Sequence, residues 1–78
     1  MTSEGGTVAW SVFLAEGIRR FKAAGIESPE VDARRIVEEA AGAEPTEFHA
    51  VLGRPATVRG VARFDSMLDR RESGEPLQ

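Results

Sequence analysis

Apolar side chains recur at helical spacing between residues 8 and 24. When the segment is turned through about 100° per residue, they fall within one narrow arc with Ile18 at its edge, whereas the charged positions lie mostly elsewhere. The spacing predicts a helix over 8–24, with Thr7 as its N-cap and Gly25 as a left-handed residue after its end. The apolar positions of this arc, which we expect to be core, are Trp10, Phe13, Leu14, Gly17 and Phe21.

A second helix is predicted between Ser28 and Gly42. Ser28 is expected to cap it, Pro29 suits the first helical position because its missing N–H is not needed there, and Gly42 marks the end. The short connection from Gly25 to Ser28 favours an antiparallel hairpin with the first helix. Val31 falls on the opposite side, so either it packs under the incoming loop at Ile26 or two faces of the helix are partly covered. The apolar face consists of Ala33, Ile36, Val37, Ala40 and Ala41.

Two further helices are predicted in the second half of the chain. The first, short one runs from Pro45 to Leu52 with Gly53 as its stop, and the second runs from about Val58 to Ser73. Gly60, near the start of the latter, should weaken that turn by up to about 1 kcal/mol relative to alanine. No segment alternates as a strand would, so the expected fold is all-α, a small bundle of four to five short helices. The core positions are expected to be Phe48, Val51, Leu52, Val61, Phe64 and Leu68, with Met67 at the border.

Length and charge narrow the class of protein. The 78 residues make one domain at most, and the formal net charge of −3 argues against nucleic acid or an anionic membrane as the main partner. There is no cysteine, no apolar run of about 18 residues, and no secretory signal at the start. We therefore expect a cytoplasmic protein with a flexible lead-in over residues 1–6 and a helical domain over residues 7–74.

No set of side chains points to catalysis, a cofactor or a metal ion. His49 is the only histidine, and a surface position is the expected one. The serines and glycines form no nucleophile, P-loop or dinucleotide motif. For Asp32 we favour a local role in the first turn of its helix over a tie to an arginine elsewhere in the bundle. Arg70 and Arg71 suit the end of the last helix, and local ion pairs are expected on the second helix among Arg34, Arg35, Glu38 and Glu39.

Two stretches carry a resemblance to a known family. "AGIESPEVDAR" at residues 24–34 and "RRESGEPLQ" at residues 70–78 resemble the helix junction and the closing segment of the N-terminal domain of the HemK/PrmC family. The resemblance covers nearly all of the chain after Thr7 and is weakest in the third helix. One departure is Arg35, where the family usually has leucine.

The resemblance implies a function for the parent protein. The family consists of S-adenosylmethionine-dependent methyltransferases that modify a glutamine side chain of peptide-chain release factors. Their glycine-rich cofactor loop and Asn-Pro-Pro-Tyr motif do not occur in this sequence, so no catalytic, cofactor-binding or metal-binding residue can be assigned. What is implied is a domain that binds and orients the release factor, with residues 75–78 beginning a connector to a catalytic domain outside this sequence.

Two other functions remain open from the sequence. The chain could be a stand-alone helical protein-interaction module without enzymatic activity. It could also be a helix-turn-helix DNA-binding domain, since residues 23–36 form a helix junction. The second alternative is disfavoured because the would-be recognition helix carries Glu30, Asp32, Glu38 and Glu39, which phosphates would repel.

Overall fold

A computed structural model describes residues 8–74 and shows α-helices as their only regular elements, apart from one 3₁₀ turn. This confirms the all-α prediction, and the only β-type pairing within the described range is an isolated antiparallel bridge between Ala9 and Pro55. The expected lead-in over residues 1–6, the Thr7 cap and the connector over residues 75–78 lie outside the described residues. The helices are α1 (Trp10–Ala23), α2 (Pro29–Ala41), α3 (Phe48–Leu52), which follows directly on the 3₁₀ turn Pro45–Glu47, and α4 (Val58–Glu72).

Helix α1 begins two residues later than predicted. The backbone before it pairs with the segment that leads into α4: the N–H of Trp10 donates to the carbonyl of Arg54 at 3.0 Å, and the N–H of Ala56 donates to the carbonyl of Val8 at 2.8 Å. Residue 9, the N-cap, is extended and provides no side-chain cap. Periodicity alone assigned residues 8 and 9 to the helix because it cannot register a pairing with residues nearly 50 positions away.

Helix α2 has the predicted bounds but not the predicted cap. Ser28 occupies the N-cap position, yet its hydroxyl makes no capping hydrogen bond, so that part of the prediction is wrong. The backbone carbonyl of Ser28 instead accepts from the N–H of Asp32 at 3.0 Å. Gly42 ends the helix with φ of 69°, in the left-handed region, as expected. Val31 is 56% exposed and is not part of the buried core.

The short elements before α3 and α4 carry the side-chain caps. Glu44 and Glu47 form a reciprocal capping box at the 3₁₀ turn, in which the N–H of Glu44 donates to the Glu47 carboxylate at 2.8 Å. At α4, the hydroxyl of Thr57 accepts from the N–H of Gly60 at 2.9 Å. Each cap stabilises the first turn of its element by satisfying a backbone N–H group there.

The core lies where α1, α2 and α4 meet, at Gly17. A Cβ placed on this glycine would lie 3.4 Å from the Ala33 Cβ, 3.4 Å from Leu68 Cδ1 and 3.5 Å from Phe64 Cζ, so the three helices approach closely here. Helix α3 closes one end of the core. The buried apolar residues are Trp10, Phe21, Ala33, Ile36, Val37, Ala40, Phe48, Val51, Ala56, Phe64 and Leu68, all but Ala56 from the predicted apolar faces.

Gly60 is part of this core rather than a defect in α4. It is buried, and a Cβ at this position would lie 2.8 Å from Cζ2 of Trp10 and 3.0 Å from the hydroxyl oxygen of Thr57. The Trp10 ring also packs edge-on against Phe64, with centroids 6.3 Å apart. The absence of a side chain at residue 60 therefore lets the single tryptophan reach the core, and this compensates for the low helix propensity of glycine.

Candidate interaction surface

Most of the ion pairs on the surface join side chains of two different helices. Arg20, on the flank of α1, donates to Glu72 through Nε at 3.0 Å and through a terminal nitrogen at 2.5 Å, and it also donates to Asp69 at 3.1 Å. A bidentate pairing of this kind has a fixed geometry because the planar guanidinium matches the carboxylate. Arg20 was predicted only to lie off the apolar arc, and its partners could not be found from sequence, because they lie 49 and 52 positions away.

This pairing perturbs the ionisation of both partners. The hydrogen bonds from Arg20 hold the pKa of Glu72 below its ordinary value, against a smaller opposing effect of burial. The same bonds raise the pKa of Arg20 further above its ordinary value. Both groups are thus charged at neutral pH, and the pair joins the C-terminal half of α1 to the last turn of α4.

Asp32 and Arg71 form a second tie on the other flank of α4. Arg71 Nε donates to Asp32 Oδ2 at 2.9 Å, and the two side chains are only 23% and 16% exposed. The favoured prediction of a purely local role for Asp32 is therefore wrong, and the alternative, a tie to an arginine elsewhere in the bundle, is the one that the structure shows. Arg71 does lie in the last turn of α4, as predicted, but it reaches across to the first turn of α2.

The two ties together hold the last turn of α4 from both sides. Glu72 and Asp69 engage α1, while Arg71 engages α2. Gly74, at the end of the described residues, has φ of 103°, which suits the predicted role of a stop after the helix. The end of α4 is therefore anchored to both α1 and α2 by side-chain hydrogen bonds.

The ion pairs predicted on α2 are partly local. Arg34 pairs with Glu38 one turn later at 3.0 Å, as predicted, and its guanidinium also lies 4.3 Å from the centre of the Phe48 ring, which ties α2 to α3. Glu39 instead lies 3.7 Å from Arg63 of α4. Arg35 is exposed, whereas the neighbouring Ile36 and Val37 are buried, so the departure from the leucine usual in the family falls on the solvent side.

Three exposed arginines share the outer side of α4. At about 100° per residue, Arg59, Arg63 and Arg70 fall within an arc of about 40°, roughly opposite the buried Phe64 and Leu68. We call these three residues the arginine line. These arginines were not predicted as a group, although their spacing of four and seven residues is visible in the sequence.

The predicted candidates for chemistry do not come together. His49 is exposed on α3, in agreement with the prediction of a surface histidine. Between residues 8 and 74, no three histidine, aspartate or glutamate side chains are grouped so that they could hold a metal ion. No helix in the same range combines the length and the hydropathy needed to span a bilayer.

Comparison with known proteins decides the family. The sequence profile described as "PrmC N-terminal domain" matches residues 13–78, which is most of the chain and includes all of α2, α3 and α4. The chain belongs to the HemK/PrmC N-terminal domain family. This confirms the resemblance found in the helix junction and in the closing segment.

Curated relatives of this PrmC N-terminal domain carry one name. Proteins called release factor glutamine methyltransferase match from Agrobacterium fabrum, at 36% identity over 96% of the chain, and from Bifidobacterium longum, at 44% identity over 76% of the chain. A third, from Caulobacter vibrioides, is 38% identical over 74% of the chain. The chain covers only 26%, 21% and 20% of these three relatives, respectively. No solved structure gives a significant match.

Proposed function

We propose that this domain binds the peptide-chain release factor for an S-adenosylmethionine-dependent protein-(glutamine-N5) methyltransferase of which it forms a part. In this proposal the helical domain over residues 7–74 holds the substrate protein. Residues 75–78 begin the connector to a catalytic domain that binds S-adenosylmethionine and transfers the methyl group. The enzyme acts in the cytoplasm on the machinery of translation termination.

The observation that carries the proposal is the pattern of the matches. Three proteins with the same name align with 74% to 96% of this chain, yet the chain accounts for about a quarter of their length or less. From this pattern we infer that the chain is one domain of a larger enzyme. Since this sequence contains neither a glycine-rich cofactor loop nor an Asn-Pro-Pro-Tyr motif, we assign methyl transfer to the remainder of the enzyme and substrate binding to this domain.

The structure supports a binding role through rigidity. The last turn of α4 is held by Arg20 of α1 and by Asp32 of α2, so the end of the domain at which the proposed connector begins is anchored to the bundle. A domain fixed beside a catalytic cleft raises the effective concentration of the target glutamine and limits its orientations. Binding energy gained on the helical domain can then lower the barrier at the reacting nitrogen.

The proposal is tested by titrating the isolated 78-residue chain with a class I release factor, using isothermal calorimetry or the fluorescence of Trp10. We expect saturable binding with one-to-one stoichiometry. Binding that is undetectable at high micromolar concentration would contradict the recognition role. An unrelated acidic protein of similar size serves as the control for charge alone.

A second test concerns the enzyme rather than the domain. The reading frame that encodes this chain should continue into a Rossmann-type strand, a glycine-rich loop and an Asn-Pro-Pro-Tyr motif. If it continues into none of these, the methyltransferase assignment fails even where release-factor binding is observed. The chain would then act as a protein-interaction module alone.

A further inference from the structure

The basic side chains of this domain divide into two groups. Most of them lie within 4 Å of a carboxylate and are thereby partly neutralised: Arg19, Arg20, Lys22, Arg34, Arg63 and Arg71. The others form no ion pair with any of the described residues 8–74. These are Arg35, Arg54, Arg59 and Arg70.

Two of the unpaired arginines lie on the arginine line, one at each end. Between them, Arg63 is 59% exposed and lies at the long distance of 3.7 Å from Glu39, so its charge is only weakly compensated. Along the axis of α4 the three residues are separated by about 6 Å and about 10.5 Å. The result is a straight array of cations about 16.5 Å long on one rigid helix.

The arginine line lies on a helix that is held at both ends, and this favours binding. Helix α4 is capped by Thr57 at its start and tied by Arg20 and Asp32 at its end, so the backbone under the arginine line is fixed. A ligand would therefore order only the arginine side chains, which lowers the entropic cost of binding. Guanidinium groups also bind carboxylates bidentately and are enriched among the residues that dominate interface energies.

The surroundings of the array favour an acidic protein over a nucleic acid. Asp65 and Asp69 are exposed elsewhere on the same helix, about 140° and about 100° around its axis from the arginine line, and Glu39 lies beside Arg63. With a net charge of −3, the domain as a whole would repel an extended phosphate backbone. A folded protein with a short row of carboxylates can meet the arginines without covering the acidic surface.

We infer that the arginine line, Arg59, Arg63 and Arg70, is the surface that receives the release factor, through a row of carboxylates on that protein. This inference rests on the proposed function and adds to it the face that is used and the chemistry of the partner. Steering by opposite charges would speed association, and the bidentate pairs would fix the register of the complex.

Two doubly charge-reversed variants of the 78-residue chain test the inference. Arg59→Glu/Arg70→Glu alters the arginine line, and Arg35→Glu/Arg54→Glu alters the two unpaired arginines elsewhere. Both variants change the net charge equally, and both pairs of residues are exposed, so far-UV circular dichroism and thermal melting should show both folded. Each is titrated with a class I release factor at 50 and 200 mM salt, and each is also titrated with a 20-base-pair DNA duplex.

We expect the arginine-line variant to bind the release factor at least roughly tenfold more weakly and with a reduced salt dependence, while the control variant stays within about twofold of the wild type. Equal weakening in both variants would overturn the inference in favour of non-specific attraction, and unchanged binding in the arginine-line variant would show that another face is used. If the wild-type chain binds no release factor, the proposed function fails together with this inference. Salt-dependent DNA binding that only the arginine-line variant loses would assign the line to nucleic acid instead.

Discussion

Arg71 in the last turn of α4 donates a hydrogen bond from Nε to Oδ2 of Asp32 in the first turn of α2, across a sequence separation of 39 residues. Both side chains are more than three-quarters buried, so the bond is shielded from water more than a typical surface pair. It connects the beginning of one core helix with the end of another. The carboxylate of Asp32 therefore ties α2 to α4 in addition to lying in the first turn of α2, where it faces the positive end of the helix dipole.

Replacing Asp32 by alanine should lower the free energy of unfolding by about 1–2 kcal/mol, because Arg71 loses a charge-assisted hydrogen bond in a largely buried position. Urea denaturation followed by circular dichroism measures the loss. Glu30→Ala is the matched control, since Glu30 lies in the same helical turn. Its side chain is 63% exposed, and its carboxylate lies 3.8 Å from Lys22 Nζ, which is a long distance for an ion pair. We expect the control to cost about 0.5 kcal/mol or less. Equal losses in the two variants would mean that Asp32 acts only on the helix dipole.

The pair formed by Arg20 and Glu72 should make stability depend on acid pH. Because the folded pKa of Glu72 lies below its ordinary value of 4.5, the pair contributes its full stabilisation above about pH 4.5 and loses it as the pH falls through the folded pKa. The wild type should accordingly be more stable than Glu72→Gln at pH 7, and the difference should shrink as the pH falls below 4.5. Urea titrations at several pH values measure it.

Asp65→Asn provides the control for this pH dependence. Asp65 is exposed on the same helix and forms no ion pair with the described residues, so its replacement should leave stability nearly unchanged at every pH. A difference between wild type and Glu72→Gln that does not vary with pH would show that the charge of Glu72 is not what stabilises the fold.

Exchanging Arg35 for leucine, the residue usual in the family at this position, should change stability by no more than about 0.5 kcal/mol. Arg35 is exposed on the outer side of α2, while the core is formed by Ile36 and Val37 beside it. Thermal melting of the Arg35→Leu variant checks this. A gain of more than about 1 kcal/mol would mean that the side chain at position 35 is covered by a neighbouring part of the chain. Arg54→Leu, at another exposed position, controls for a general effect of added hydrophobicity.

The helices and their buried faces were predictable because they depend on local spacing. Phe21, Ile36 and Leu68 are fully buried, as the apolar arcs indicated, and the glycines at 25 and 42 have the left-handed conformation expected at helix ends. These features need only the residues within one or two turns. Helical periodicity therefore identified the buried residues of the helices but not Ala56, which lies between α3 and α4.

The ties between the helices were not predictable, because each depends on two distant positions. Nothing near Asp32 or Arg20 in the sequence indicates a partner on α4, since a carboxylate and a guanidinium also suit the helix ends in which they stand. The start of α1 was misplaced for the same reason, as Val8 pairs with Ala56. The arginine line could have been recognised from the sequence, because its three residues lie on one helix at helical spacing. The sequence does not indicate, however, which of the many charges on a helical surface are paired.

Gly60→Ala and Gly17→Ala form the sharpest test of the packing. By helix propensity alone each replacement should stabilise its helix by up to about 1 kcal/mol. At Gly60, however, the new Cβ would lie 2.8 Å from Cζ2 of the buried Trp10 ring and 3.0 Å from the hydroxyl of the Thr57 cap, so the ring or the helix would have to shift. Overpacking of this kind costs about 1–3 kcal/mol, so the net effect should be a loss of roughly 1–2 kcal/mol.

At Gly17 the new Cβ would meet its neighbours at 3.4 to 3.5 Å, which is van der Waals contact, so this variant should be neutral or up to about 1 kcal/mol more stable. Urea denaturation gives both values, and the emission of Trp10, the only tryptophan, reports whether its ring has moved. A red shift is expected for Gly60→Ala alone, since displacement of the ring from the core exposes it to water. If Gly60→Ala were as stable as Gly17→Ala and left the emission unchanged, the contact between Gly60 and Trp10 would not be what selects glycine at this position.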